Sequence, residues 1–274
     1  LLLIGTIAPV AAVDTASVPL EPRPLAGFVA EDAPKPVTHK WTGSVAIGAT
    51  FGNPGATVYG NVTVASTLNS DATVYALKTG AFNIIGSASA VGYIPTLTFA
   101  SADPVNMGGF IATGNMAFTN INLKFGNNGD GTAYLYNAAA TTITMSGSFM
   151  AGNIVKFGAG ALTVGVDQQY LNNAKWFVNN GGLTLNTLYA AGRNAEVILQ
   201  GGVGAGVTLT LNYNSGATDD ATWGISKITS VDNNTIFYLP GLAAAADRQQ
   251  RIGAIDLVTP GAAASRLVIT QTLG

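Results

Sequence analysis

The side chains best suited to acid–base chemistry are few in this chain: one histidine, His39, and fourteen carboxylates. A lone histidine supplies neither a histidine-based metal cluster nor a spare base for a Ser-His-Asp triad. It sits between Thr38 and Lys40 in a proline-rich stretch and reads as a solvated linker residue. Asp219 and Asp220 are the only adjacent aspartates, and neighbouring residues on a strand point to opposite faces. Sugar hydrolysis needs an acid and a base on opposite sides of one bond, and lyases hold calcium with several carboxylates. Asp130, Asp167, Glu196 and Asp219 are instead spread along the chain. The run Gly126-Asn127-Asn128-Gly129-Asp130-Gly131-Thr132 offers oxygen ligands on a glycine-rich turn. It lacks the alternating aspartates and closing glutamate of an EF-hand loop, and reads as a plain turn. Cysteine is absent, which excludes thiol nucleophiles, disulfides and thiolate zinc sites. We expect no catalytic residue, no cofactor and no bound metal; the chain does not read as an enzyme.

The elements that would position any site are more legible. Six short segments recur: Leu97-Thr98-Phe99, Ile121-Asn122-Leu123, Ile143-Thr144-Met145, Leu162-Thr163-Val164, Leu183-Thr184-Leu185 and Leu209-Thr210-Leu211. Their starts are separated by 24, 22, 19, 21 and 26 positions. Each is apolar–polar–apolar, the period of a strand with one buried face. Glycine- and asparagine-rich corners lie between them, among them Gly158-Ala159-Gly160 and Asn179-Asn180-Gly181-Gly182. No proline occurs between Pro104 and Pro240, as expected where backbone N–H groups are needed for ladders on both sides. The pattern predicts an all-β fold, a parallel β-solenoid over 97–216. Leu97, Ile121, Ile143, Leu162, Leu183 and Leu209 are expected to form one inward column. The asparagine pairs Asn127-Asn128 and Asn179-Asn180 are expected to stack as amide ladders at corners.

The flanks differ in character. Residues 41–96 carry shorter alternations and read as the entry to the solenoid. Residues 217–274 offer strands, plus a helix-forming run Leu242–Ile252, and read as a cap or assembly module. Residues 1–40 read as an apolar arm followed by a tether. The arm carries Leu1, Leu2, Leu3, Ile4, Ile7, Val10 and Val13, and its first twelve residues look like the end of a secretory signal peptide. Pro9 and Asp14 break it before it is long enough to span a membrane. The tether holds Pro19, Pro22, Pro24, Pro34 and Pro36 and is expected to be extended. At about 3.3 Å per residue, the stretch from Val13 to Lys40 would reach on the order of 90 Å. The arm is therefore expected to dock on a neighbouring copy as an added strand.

Composition points the same way. Charged residues are 9% and hydrophobic residues 48%, with a net charge of −2. A lone soluble domain usually carries far more charge. Covered surface, and solvation by Thr, Ser and Asn, are the two ways to tolerate this. The twelve basic residues are scattered and make no patch for nucleic acid.

The passage Lys156-Phe157-Gly158-Ala159-Gly160-Ala161-Leu162-Thr163-Val164, then Tyr170, then Val178-Asn179-Asn180-Gly181-Gly182-Leu183-Thr184-Leu185, resembles the autotransporter-associated β-strand repeat. That repeat reads Lys-x-Gly-x-Gly-x-Leu-x-Leu, a spacer with Tyr, then a strand and Gly-x-Leu-x-Leu. Here Leu171-Asn172 stand where the family usually has Gly. The resemblance implies a parallel β-helix in a secreted or surface-attached bacterial protein.

These readings together predict an extracellular or cell-surface structural protein that self-assembles into a filament or lattice, its main partner another copy of itself. Two other expectations follow from different classes. One is an adhesin or glycan-binding passenger, with Tyr93, Tyr134, Tyr136, Tyr170, Trp176, Tyr189 and Trp223 as its aromatic face. The other is a polysaccharide-degrading β-helix enzyme.

Overall fold

The computed structural model describes residues 18–19, 38–39, 44–87, 92–100, 108–200, 207–212, 221–231, 235–240, 250–257 and 267–272. Among these residues the fold is all-β, with no helix. Two parallel sheets, one of thirteen strands and one of nine, form a parallel β-helix. Each coil lays a strand on the larger sheet, turns a corner, and lays another on the smaller one. Successive strands on either sheet come from successive coils, about 4.8 Å apart across the hydrogen bonds.

Thr142–Ser146, Ala161–Val164, Gly181–Leu185 and Val207–Leu211 are neighbours on the nine-stranded sheet. Ile143, Leu162, Leu183 and Leu209 are consecutive register partners there, each buried. The other two residues of the expected column lie elsewhere. Leu97 belongs to the thirteen-stranded sheet and pairs with Leu123, while Ile121 is a buried corner residue just before that strand. The residue that precedes Ile143 in its column is Met116. An apolar–polar–apolar triplet marks an inward-facing pair but not which sheet it belongs to, so one column was expected where two sheets contribute.

The larger sheet bends within a single strand. The first half of Ala72–Thr79 pairs with Thr96–Phe99, and its second half with Gly109–Ala112. This creates a short third side whose inward column is Ala72, Leu97, Leu123 and Phe149. Phe99 stacks on Phe125 at 4.7 Å, and Phe149 meets Trp176 edge-on at 5.8 Å. A continuous aromatic seam thus fills the core beneath this side.

Strands on the third side end at Phe149–Met150, and a side chain takes over the ladder. The fully buried Gln168 amide accepts the Phe149 N–H at 2.6 Å and donates to the Gly147 carbonyl at 3.1 Å and the Val166 carbonyl at 3.2 Å. Replacing Gln168 by Leu would orphan the buried Phe149 N–H and the buried Gly147 carbonyl, at about 1–3 kcal/mol for each group left dry. We expect Gln168→Leu to lower unfolding free energy by about 3 kcal/mol in urea titration. A loss below ~0.5 kcal/mol would show that the amide does not stand in for a strand.

Corners are fixed by short polar side chains and by backbone crowding. Asn53, Asp71, Asn83 and Asn115 each accept, through Oδ1, a backbone N–H from the following coil: Thr73 at 2.8 Å, Thr96 at 2.7 Å, Ala117 at 2.8 Å and Thr142 at 2.8 Å. Gly147 is required by packing, since a Cβ there would lie 1.7 Å from the Ile121 carbonyl oxygen. Amide ladders do form, but between Asn173 and Asn194 (2.5 Å) and between Asn186 and Asn212 (3.1 Å). Asn180 instead accepts the N–H of Gly181 in its own turn, and Asn127 and Asn128 are exposed. Asn173 and Asn194 both hold left-handed backbones, with φ of 57° and 54°, which sets their side chains at equivalent points of successive coils.

Strands of both sheets also lie outside the span 97–216 expected from sequence. Gly55–Val62 and Ala72–Thr79 already lie on the larger sheet. Ile225–Ser230 and Ala254–Leu257 extend it, and Thr235–Pro240 and Leu267–Thr272 extend the smaller one. Of the expected helix Leu242–Ile252, the described part includes Gln250–Arg251, which is a strand paired with Ala221–Thr222; residues 241–249 lie outside the described residues. Hydrogen bonds from the preceding coil override the helix propensity there. The tether differs too: Val18–Pro19 pairs antiparallel with Thr38–His39, which brings residue 18 beside residue 39 rather than far from it. Arm residues 1–17 lie outside the described residues.

Candidate interaction surfaces

The outer side of the nine-stranded sheet presents a threonine row. Thr144, Thr163, Thr184 and Thr210 are register partners, each partly exposed, between the inward columns of Ile143 and Met145. Hydroxyls at this spacing solvate the face without charge. They account physically for a surface that tolerates 9% charged residues.

The outer side of the thirteen-stranded sheet is different. Tyr134, Val155, Phe177, Ile198 and Thr229 form a register row that alternates with the inward column, so it faces away from the core. Even so, Tyr134, Val155, Ile198 and Thr229 are buried within the single chain. Ile198 and Val231 form a second apolar cluster, with Phe177 against it. Burial pushes the Tyr134 hydroxyl up to about 12. This row is covered rather than free.

Charged chemistry is dispersed. Lys227 Nζ lies 2.9 Å from Glu196 Oε1 and 3.5 Å from Asp256 Oδ2, a surface cluster in which both carboxylates hold the ammonium up. Asp167 Oδ1 accepts the Tyr189 N–H at 3.2 Å, a corner bond between coils. Asp130 is exposed in the turn Gly126–Gly131, which is closed by Gly131 N–H to the Phe125 carbonyl. Among the described residues no group of three or more His, Cys, Asp or Glu is placed to hold a metal ion. Asp219 and Asp220 lie outside the described residues, and His39 lies on the short Thr38–His39 strand.

The aromatic residues do not share a face. Trp176 and Trp223 are core residues, and Trp176 Nε1 donates to the Ala191 carbonyl at 2.9 Å. Tyr93 donates to Asp71 at 2.6 Å on one corner, Tyr170 is exposed, and Tyr189 lies under the Arg193 guanidinium at 4.4 Å. A strand residue alternates sides with its neighbours, so spacing in sequence alone does not gather them.

One functional-looking residue was legible only as part of a motif. Lys156 is fully buried, at an inward position between Leu135 and Val178. Its Nζ donates to the carbonyls of Gly158 (2.7 Å), Gly160 (2.5 Å) and Asn180 (2.6 Å). The ammonium closes two stacked glycine corners from inside, a structural role.

The two ends of the β-helix are the remaining surfaces. Ser44–Ile47 begins the larger sheet and Ala254–Leu257 ends it. Val45 is 53% exposed, Ile255 38% and Leu257 54%, although their register partners Gly60, Ile228 and Ser230 are buried. Inward-facing apolar side chains are thus exposed on the outermost described strands of the larger sheet, Val45 at one end and Ile255 and Leu257 at the other, while Ile47 beside Val45 is buried. No family model, curated protein or solved structure matches this chain.

Proposed function

We propose that this chain is a non-enzymatic structural protein, exported to the cell surface or beyond, whose copies join into a filament or surface lattice. The observation that carries this reading is that the outermost described strands of the larger sheet leave the inward-facing apolar side chains Val45, Ile255 and Leu257 exposed. Repeat proteins that work alone close their terminal coils with a polar outer face, because an open coil offers unpaired N–H and C=O groups above an apolar layer. Low charge and a threonine-surfaced wall suit a body that meets neighbours along its length more than one dispersed by charge. Export, and kinship with the autotransporter-associated repeat, rest on the signal-like start and on the Lys156–Leu185 passage. The pairing of residues 18 and 39 shortens the tether on which an N-terminal arm would depend, so the ends of the β-helix are the favoured contact.

Negative-stain imaging and sedimentation of the purified chain test the reading. Rods longer than a single β-helix, with mass rising with concentration, are the expected result. A single sedimenting species of 27.8 kDa at high concentration would overturn it.

A further inference from the structure

We infer that copies join head to tail, the strand Ala254–Leu257 of one adding in parallel to Ser44–Ile47 of the next, with Leu257 seated against Val45. The inference rests on the assembly reading above and specifies its contact.

One inward column runs the length of the larger sheet. Val45 pairs with Gly60, Gly60 with Leu77, Leu77 with Phe110, and Phe110 with Leu135. From there it passes to Lys156, Val178, Leu199, Ser230 and finally Leu257. The column thus starts and stops on an apolar side chain, both more than half exposed. A second copy translated along the axis would place Leu257 one strand spacing, about 4.8 Å, from Val45 and continue the same column.

Direction favours the same joint. Every strand of this sheet runs parallel to its neighbours, so its two edges are unlike and complementary. Two first strands, or two last strands, would meet only in an antiparallel fashion. The two edge strands themselves lack the proline and bulges, and nearly all of the charge, that usually blunt an edge. Ala254–Leu257 carries one charge, Asp256, and Ser44–Ile47 none, and neither contains proline or a bulge. Among the described residues the smaller sheet likewise runs from Ser66–Leu68, bridged by Thr50, to Leu267–Thr272. A contact that joins unlike ends does not close on itself by two-fold symmetry, so it propagates.

The chain has no cysteine, which makes a directed test clean. Val45→Cys and Leu257→Cys are made as separate full-length proteins, mixed, and oxidised. Disulfide-linked heterodimers of the two variants are expected, with each variant alone giving few. In parallel, Val45→Asp and Leu257→Asp are compared with wild type by sedimentation, with circular dichroism as the check that strand content is kept. Each aspartate is expected to lower the assembled fraction at least tenfold. Assembled wild type together with assembled aspartate variants would overturn this contact while leaving the assembly reading intact. Cross-linking of Val45→Cys with itself would overturn the head-to-tail direction. A monomeric wild type would overturn both.

Discussion

Leu183→Asp is expected to abolish the native fold of the central coils. Leu183 is fully buried between its register partners Leu162 and Leu209, with Val164, Leu185 and Leu211 in the next inward column. Truncation to Ala would remove the apolar contacts and leave a cavity, at about 2–5 kcal/mol. Aspartate adds a carboxylate between Leu162 and Leu209, whose side chains offer no donor, and the cost of a dry unpaired charge exceeds that of the cavity. A loss of at least about 5 kcal/mol follows, comparable with the whole stability of many domains. Since each coil of a solenoid contacts only its neighbours, the damage is expected to centre on residues 140–212 and to spread by loss of nearest-neighbour contacts. Limited proteolysis would read this as new cleavage within that span, and circular dichroism as lost strand signal. A Leu183→Asp protein with wild-type protease resistance would show that the column is not dry.

Much of the body was legible because a β-helix repeats one physical demand. Each coil must bury alternate residues and turn at corners, so apolar triplets and Gly/Asn clusters recur. Assignment to a side was not legible. Leu97-Thr98-Phe99 and Leu162-Thr163-Val164 carry the same pattern, yet they lie on different sheets. Which sheet a strand joins depends on corner lengths and on bonds such as Asp71 to Thr96 that span coils. Met116-Ala117-Phe118 escaped the pattern because Ala117 occupies the outward position that elsewhere holds threonine. Gln168 and Lys156 were missed as structural elements for a related reason. Long polar side chains on strands read as solvent-facing, and only the surrounding carbonyls show why these two face inward. The candidate assembly surface was invisible in sequence, since Val45 and Leu257 differ from core residues only in lying on the outermost described strands of the larger sheet.

Lys156 should make the stability of this protein depend on pH in a way that a single substitution removes. Burial pulls its ammonium down to about 7 from an ordinary 10.5. The three carbonyls of Gly158, Gly160 and Asn180 favour the charged form, since an ammonium has a donor for each and a neutral amine has only two. Burial and the carbonyl cage thus act in opposite directions on the ammonium. With the folded value below the unfolded one, the unfolded chain holds an extra proton between them, and stability rises with pH across that window. The contribution is complete above the unfolded value near 10.5 and is lost as pH falls through the folded one. The full span, 10.5 less 7, corresponds to at most about 5 kcal/mol. Lys156→Met keeps the length of the side chain but takes a donor from three carbonyls, of which Gly160 still accepts the Gly182 N–H, so we expect a loss of roughly 3 kcal/mol at neutral pH. The sharper readout is the difference between the two proteins. Urea titrations at pH 6, 7.5 and 9 should show wild type gaining on Lys156→Met as pH rises. Parallel pH profiles would place the folded titration at its ordinary value, and would show that the carbonyl cage fully offsets burial.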